Sequence, residues 1–298
     1  MKNFLLGEHR QIDSAAMVLR IGLGLVFVIG GWNKLYQLLD PSTEAAILAS
    51  YMGTSGYINQ FFTDYLFSGA LGNVLTPWLF LTTLSAFELV SGFMLVAGLL
   101  VRPLSLIWAL LLWTFVFSLP VVTTPGVDAL VKTYTSPALF VQVRDIGLSG
   151  LFFMLYNLGS GRLSLDEKLN TGVAILERNH LKEWNEMGLL LRVSLALPFL
   201  IAGFFHGLDY IQTFKLPAFI SLVLGIAILA GVQTRIIGGA VALAMIYYIF
   251  QKLNIDKSFI ANLNGFKREL GFLAAGIVLL HAGGGSYYTP KALTAKTA

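Results

Sequence analysis

The stretch "VRDIGLSGLFFMLYNLGSGR", Val143 to Arg162, sets an Arg-Asp pair inside an otherwise apolar run of helix length. Pro137 to Val141 are apolar too, apart from the backbone break that proline brings, so the charges interrupt a membrane span rather than flank one. The stretch recurs as "FKRELGFLAAGIVLLHAGGG", Phe266 to Gly285, with Arg144 aligned on Arg268, Asp145 on Glu269 and Gly161 on Gly285. Apolar runs mimic one another easily, but charges and glycines matched in order do not arise so readily by chance.

Composition agrees with a membrane reading. Hydrophobic residues make up 56% of the 298 and charged residues 12%, with a mean hydropathy of +0.74. A soluble globule of that composition lacks the polar surface to cover itself. Crossing the hydrocarbon takes about 20 apolar residues, and such runs fall at 15–36, 76–100, 103–123, 137–158, 190–208, 214–231, 236–251 and 259–282. We therefore expect an all-α polytopic membrane protein with about eight transmembrane helices. The first run carries Arg20 and no small-residue cleavage site precedes it, so it reads as a retained helix. Cysteine is absent, which removes disulfides, thiolate metal sites and cysteine nucleophiles. The net charge of +4 comes from basic residues scattered through connecting loops, not from a nucleic-acid-binding patch.

Further matches extend the repeat. "LRIGLGLVFVIGGWNKL" (19–35) aligns with "LRVSLALPFLIAGFFHGL" (191–208), setting Arg20 on Arg192, Gly31 on Gly203 and Lys34 on His206. In the second helices Gly92 falls on Gly225, Gly98 on Gly231 and Arg102 on Arg235. The expected architecture is two parallel four-helix repeats, 1–159 and 189–298, joined by a charged cytosolic linker over 160–188. An even number of helices per repeat makes both halves enter from one side. Residues 36–101 contain no Lys or Arg, and the loop over 37–73 holds Asp40, Glu44 and Asp64. By the positive-inside bias this loop is extracytoplasmic and both termini are cytoplasmic. Its aromatic tip, Tyr51 to Phe67, reads as a cap over an outer cavity or as a passive interfacial segment.

Ionisable groups inside a span cost about 2.5–3.5 kcal/mol each on insertion scales, so they face a bundle interior and pair, or mark a site. Neighbours on a helix point about 100° apart, so Arg144 and Asp145 do not neutralise one another on one face. Glu88, in "LSAFELVSGFML", is the expected partner, with Lys34 nearer the outer end of the first helix. Lys34, Arg144 with Asp145, and Glu88 thus make a polar line through the outer leaflet, either a site or a set of structural ion pairs. The second half offers His206, Arg268 and Glu269, but Ser221 replaces Glu88 there. No metal or haem site is expected, since His206 and His281 fall near opposite faces.

The first-helix "LRIGLGLVFVIGGWNKL", the glutamate-bearing "FELVSGFMLVAGLLVR", the later "RDIGLSGLFFMLYNLGSGR" and "LSLD" together resemble the DoxX/DoxD-like membrane family, which includes a membrane subunit of thiosulfate:quinone oxidoreductase. The resemblance covers most of residues 19–166 and recurs more faintly over 191–285. It implies a multi-pass protein of a prokaryotic cell membrane that oxidises thiosulfate to tetrathionate, with quinone as electron acceptor. Glu88, Arg144 and Asp145 would then be catalytic, and Lys34 and Arg144 would bind the thiosulfate-like anion. His206, Arg268 and Glu269 are the candidates in the second repeat. Expected partners are membrane lipid and either a second oxidoreductase subunit or direct contact between the two substrates. The alternative is a non-enzymatic membrane module that scaffolds an exported redox or stress-response partner.

Overall fold

The computed structural model describes residues 2–52, 58, 60–118, 138–161, 163–169, 180–205 and 214–289. These residues form twelve helices and no strand. They are α1 (Lys2–Leu39), α2 (Glu44–Met52), α3 (Gln60–Tyr65), α4 (Gly69–Gly72), α5 (Pro77–Ala97), α6 (Val101–Ser118), α7 (Ala138–Leu158), α8 (Leu165–Lys168), α9 (His180–Phe204), α10 (Ala218–Ala230), α11 (Thr234–Lys252) and α12 (Phe259–Ala282).

Each apolar run read from the sequence falls on a helix, with 119–123 and 206–208 lying outside the described residues. Five are long and apolar enough to cross a membrane, namely α5, α6, α11 and the Gln11–Leu39 and Trp184–Phe204 portions of α1 and α9. The run read over 214–231 is the 13-residue α10, shorter than a full span. Charges in α7 and α12 lower their hydropathy, yet both helices sit in the middle of the bundle. Helix α7 packs on α6 and α9, α12 packs on α1 and α11, and the two touch each other. Their charges therefore meet protein rather than lipid. Large apolar side chains on the outer helices, such as Phe93, Leu110, Phe219 and Leu243, are exposed and give the bundle its lipid-facing surface.

Local sequence explains the turns. Thr76 caps α5, its hydroxyl accepting from the Leu79 N–H at 3.1 Å, and Pro77 takes the first helical position, where no N–H is needed. The helix stops at Gly98 in the left-handed region (φ +77°), with the Leu99 N–H returning to the Met94 carbonyl at 2.8 Å. Helix α10 ends the same way at Gly231 (φ +70°), where the Val232 N–H meets the Ala227 carbonyl at 3.1 Å. In both places an arginine from the preceding long helix reaches the end. Arg20 donates to the Val96 carbonyl at 2.6 Å and to the Leu163 carbonyl, and Arg192 donates to the Leu229 carbonyl at 3.0 Å and to the Tyr287 carbonyl. Each guanidinium satisfies orphan carbonyls at a helix C-terminus. Arg20 and Arg192 are thus cappers inside the frame.

Helix α1 lies on α5 as α9 lies on α10, α6 on α7 as α11 on α12, and α1 on α12 as α9 on α7. Close backbone approach sets the first of these pairings. A Cβ at Gly31 would fall 2.5 Å from the Leu89 nitrogen, and one at Gly203 would fall 2.7 Å from the Leu222 nitrogen.

Candidate functional site

A chamber of about 500 Å³ opens between α1, α5, α6 and α12. One wall is built from α1, where Phe27 stacks on the fully buried Trp108 of α6 with ring centroids 3.5 Å apart. Trp108 is held in turn by its indole N–H, which donates to the Ser91 hydroxyl at 3.0 Å. This wall is fixed by packing and one hydrogen bond. Segment 37–73 contributes Tyr51, Ile58 and Phe62 to the lining, and Phe80 of α5 packs against Phe62 and Phe67. Leu38, Ile47 and Leu81 form a small separate core beneath this cover.

The polar side carries five charged residues, Lys34, Glu88, Asp145, Lys267 and Arg268. Lys34 and Glu88 form a buried ion pair between α1 and α5. Arg268 holds Asp145 bidentately, with Nε 2.7 Å from Oδ1 and Nη2 3.3 Å from Oδ2. Lys267 donates to the Asn264 side-chain oxygen at 2.8 Å. Outside the long helices, burial and then the nearby Glu88 carboxylate push the Tyr51 hydroxyl above its usual range. Tyr51 therefore meets the chamber as a neutral phenol.

Arg144 and Glu269 lie on the far side of the α7–α12 contact and do not line the chamber. Arg144 pairs with Glu269 and stands over the Phe140 ring at 4.8 Å. Lys252 lies 3.7 Å from the same carboxylate and also donates to the Gly265 carbonyl at 2.6 Å. The pairing expected between Arg144 and Glu88 is thus not formed, because Glu88 is engaged by Lys34 and Arg144 faces α12. The single line of charge resolves into three pairs, one between α1 and α5 and two crossed between α7 and α12. His206 lies outside the described residues.

Of the residues named from sequence, Lys34, Glu88, Asp145 and Arg268 come together around one space, while Arg144 and Glu269 form a separate pair. Lys267 was missed. The rule that singled out Arg268 and Glu269, a charge inside an apolar run, applies equally to the residue before them. Asp166 was read only as part of a motif, yet its carboxylate accepts the Leu100 and Val101 N–H groups at 2.8 and 3.1 Å and caps α6.

Fold and chamber define a multi-pass helical membrane protein with a charged, partly apolar site inside the bundle. Residues 15–120, a segment that takes in the membrane part of α1 together with α5 and α6, match the DoxX family model. The match takes in Lys34 and Glu88 and ends before the crossed pairs of α7 and α12. No curated protein and no solved structure matches the chain.

Proposed function

We propose that the chain is the membrane component of a quinone-linked oxidoreductase, with the α1–α5–α6–α12 chamber as the quinone site and thiosulfate as the electron donor. The observation that carries this reading is the buried Lys34–Glu88 pair on the polar side of a chamber whose other side is walled by apolar and aromatic side chains. Small-molecule sites commonly measure about 300–1,000 Å³ and combine apolar walls with a few placed polar groups. A ring with polar oxygens and an apolar tail suits that division, and the match of residues 15–120 to the DoxX family model supports it.

Bound quinone would accept two electrons and two protons. The electrons would come from two thiosulfates as a sulfur–sulfur bond forms to give tetrathionate. Glu88 can pass a proton to a ring oxygen and recover it by way of the mouth of the chamber. Lys34 steadies the carboxylate each time it is left ionised. Phe27, Phe80 and Phe115 hold the ring and exclude water.

The test is the purified chain in nanodiscs with a short-tailed quinone and thiosulfate. We expect one tetrathionate per quinone reduced, activity lost in Glu88→Gln with membrane abundance kept, and little effect of Ser221→Ala. Quinone retained without turnover would instead favour a module that serves a partner enzyme. No retention of quinone would remove the chamber from the reading altogether.

The same proposal takes the halves as a tandem duplication with both termini cytoplasmic. The shared helix pairings, the arginine-capped turns and the left-handed glycines support the duplication, and the lack of Lys and Arg over 36–101 supports the orientation. Because the chain has no cysteine, single cysteines at Ser42 and Leu169, both exposed, give a clean orientation test. An impermeant maleimide added outside should label the first and spare the second; the reverse pattern would turn the chain over.

A further inference from the structure

Lys267 stands apart from the other charges of the chamber. Lys34 has Glu88, and Arg268 has Asp145. Among the described residues the only hydrogen-bond partner of Lys267 is the neutral side chain of Asn264, and no carboxylate lies within ion-pair distance of it. Three cations and two carboxylates therefore face one chamber, and one positive charge has no carboxylate of its own.

Its location is built. Gly30 on α1 leaves the room the ammonium group occupies, since a Cβ there would fall 2.9 Å from Lys267 Nζ and 3.3 Å from Glu88 Oε2. The amine thus projects beside the Lys34–Glu88 pair, toward the chamber and not along the helix surface. Lys267 is partly buried, and an ammonium group withdrawn from water without a counter-charge is costly, a cost that an anion brought by a ligand lowers. Phe27, Phe62, Phe80, Leu84 and Phe115 line the rest of the space and suit a flat apolar body.

We infer that the chamber recognises an acidic ring compound, one bearing a single ionised hydroxyl, and that Lys267 is the counter-ion of that oxygen. The inference rests on the chamber being a ring-binding site, and it adds a charge preference that the quinone reading alone does not require. A single unbalanced cation favours a monoanion over a neutral ring, and over a dianion whose second charge would have no partner.

Two probes separate these readings in nanodiscs carrying the full chain at pH 7. One is a 2-hydroxy-3-alkyl-1,4-naphthoquinone, ionised at that pH. The other is its 2-methoxy ether, of nearly the same shape and neutral throughout. With retention on empty nanodiscs subtracted, the wild-type chain should hold the hydroxy compound at least tenfold more tightly than the ether. Lys267→Gln should bring the two affinities within about twofold by weakening only the hydroxy compound, with thermal stability unchanged or raised. Retained ether binding shows that the variant is folded. Equal binding of the two by the wild type, or a preference that survives Lys267→Gln, would overturn the inference while leaving a ring site standing. Binding of neither by the wild type would overturn the ring site and the inference together.

Discussion

The first half of the molecule keeps a space where the second half has filled one. Around the open chamber stand Lys34, Glu88 and the Arg268–Asp145 pair. At the matching place in the second half, Phe214 is fully buried and packs its ring 4.8 Å from Phe199, 5.2 Å from Phe140 and 5.4 Å from Tyr248. Ser221 stands where Glu88 stands in the first half, and its hydroxyl has no hydrogen-bond partner among the described residues. The Arg144–Glu269 pair and Lys252 remain beside this plug. One helical frame thus supports two uses: a site where aromatic rings border a gap, and a core where they meet. Net burial of a charged group is tolerated in both, because each arginine finds its carboxylate on the opposite half.

The comparison breaks most sharply at the crossed pairs. Removing one partner of a buried ion pair costs about 3–5 kcal/mol, because the other charge is left without compensation. Arg144→Ala strands Glu269, which already has one oxygen without a hydrogen bond among the described residues. We expect a loss of that size, read as earlier thermal unfolding in detergent, with ligand affinity of the surviving folded protein little changed. Arg268→Ala strands Asp145 on the chamber wall, so its stability loss should come with a larger effect on binding. Equal outcomes would mean that the two sides do not differ in function.

Next in size is the plug. Phe214→Ala should cost about 3 kcal/mol, the low end for a buried aromatic, because the irregular segment after it can settle into part of the space. Phe80→Ala, at the border of the open chamber, should cost less than about 1 kcal/mol, since little packing is lost beside an existing gap. Similar losses at the two positions would show that the chamber is closed in the membrane. A smaller pair of effects should be the same in both halves. Gly98→Ala and Gly231→Ala each force a Cβ into the left-handed region, at about 1–2 kcal/mol, and toward a capping guanidinium 2.5 and 2.2 Å away. Unequal melting shifts would break the likeness of the two turns.

The sequence made the helices legible because apolar runs and their glycine ends are local signals. Gly98 and Gly231 mark their helix stops without any knowledge of packing. The charges inside the runs were equally legible as a group, and four of the chamber residues were named from that rule. Their partners were not, since Arg144 meets Glu269 across a long stretch of chain and only the placement of α12 beside α7 decides it. Symmetry of the matched Arg-Asp and Arg-Glu pairs held the needed hint: when two like elements face each other, each cation reaches the acid of the other. Phe214 left no sign at all, because an aromatic residue in an apolar chain looks the same whether it fills a core or borders a gap.

The smallest expected effect lies at the start of α6. Leu100 sits in the left-handed region (φ +50°), where a branched side chain carries strain, and Asp166 holds the turn by accepting both the Leu100 and Val101 N–H groups. Gln233 takes the same backbone form before α11 (φ +44°), but among the described residues no side chain caps that helix. Asp166→Asn keeps one good acceptor and loses the other along with the charge that favours a helix N-terminus, so about 1 kcal/mol should be lost. If the carboxylate also serves to hold Leu100 in place, Leu100→Gly should remove part of that need. Asp166→Asn would then cost less in the glycine background than alone, a coupling that a double-mutant cycle in thermal unfolding can measure. Gln233→Gly should stabilise on its own, with no cap to couple to. Full additivity of Asp166→Asn with Leu100→Gly would reduce the carboxylate to an ordinary helix cap and leave the two turns equivalent in their strain.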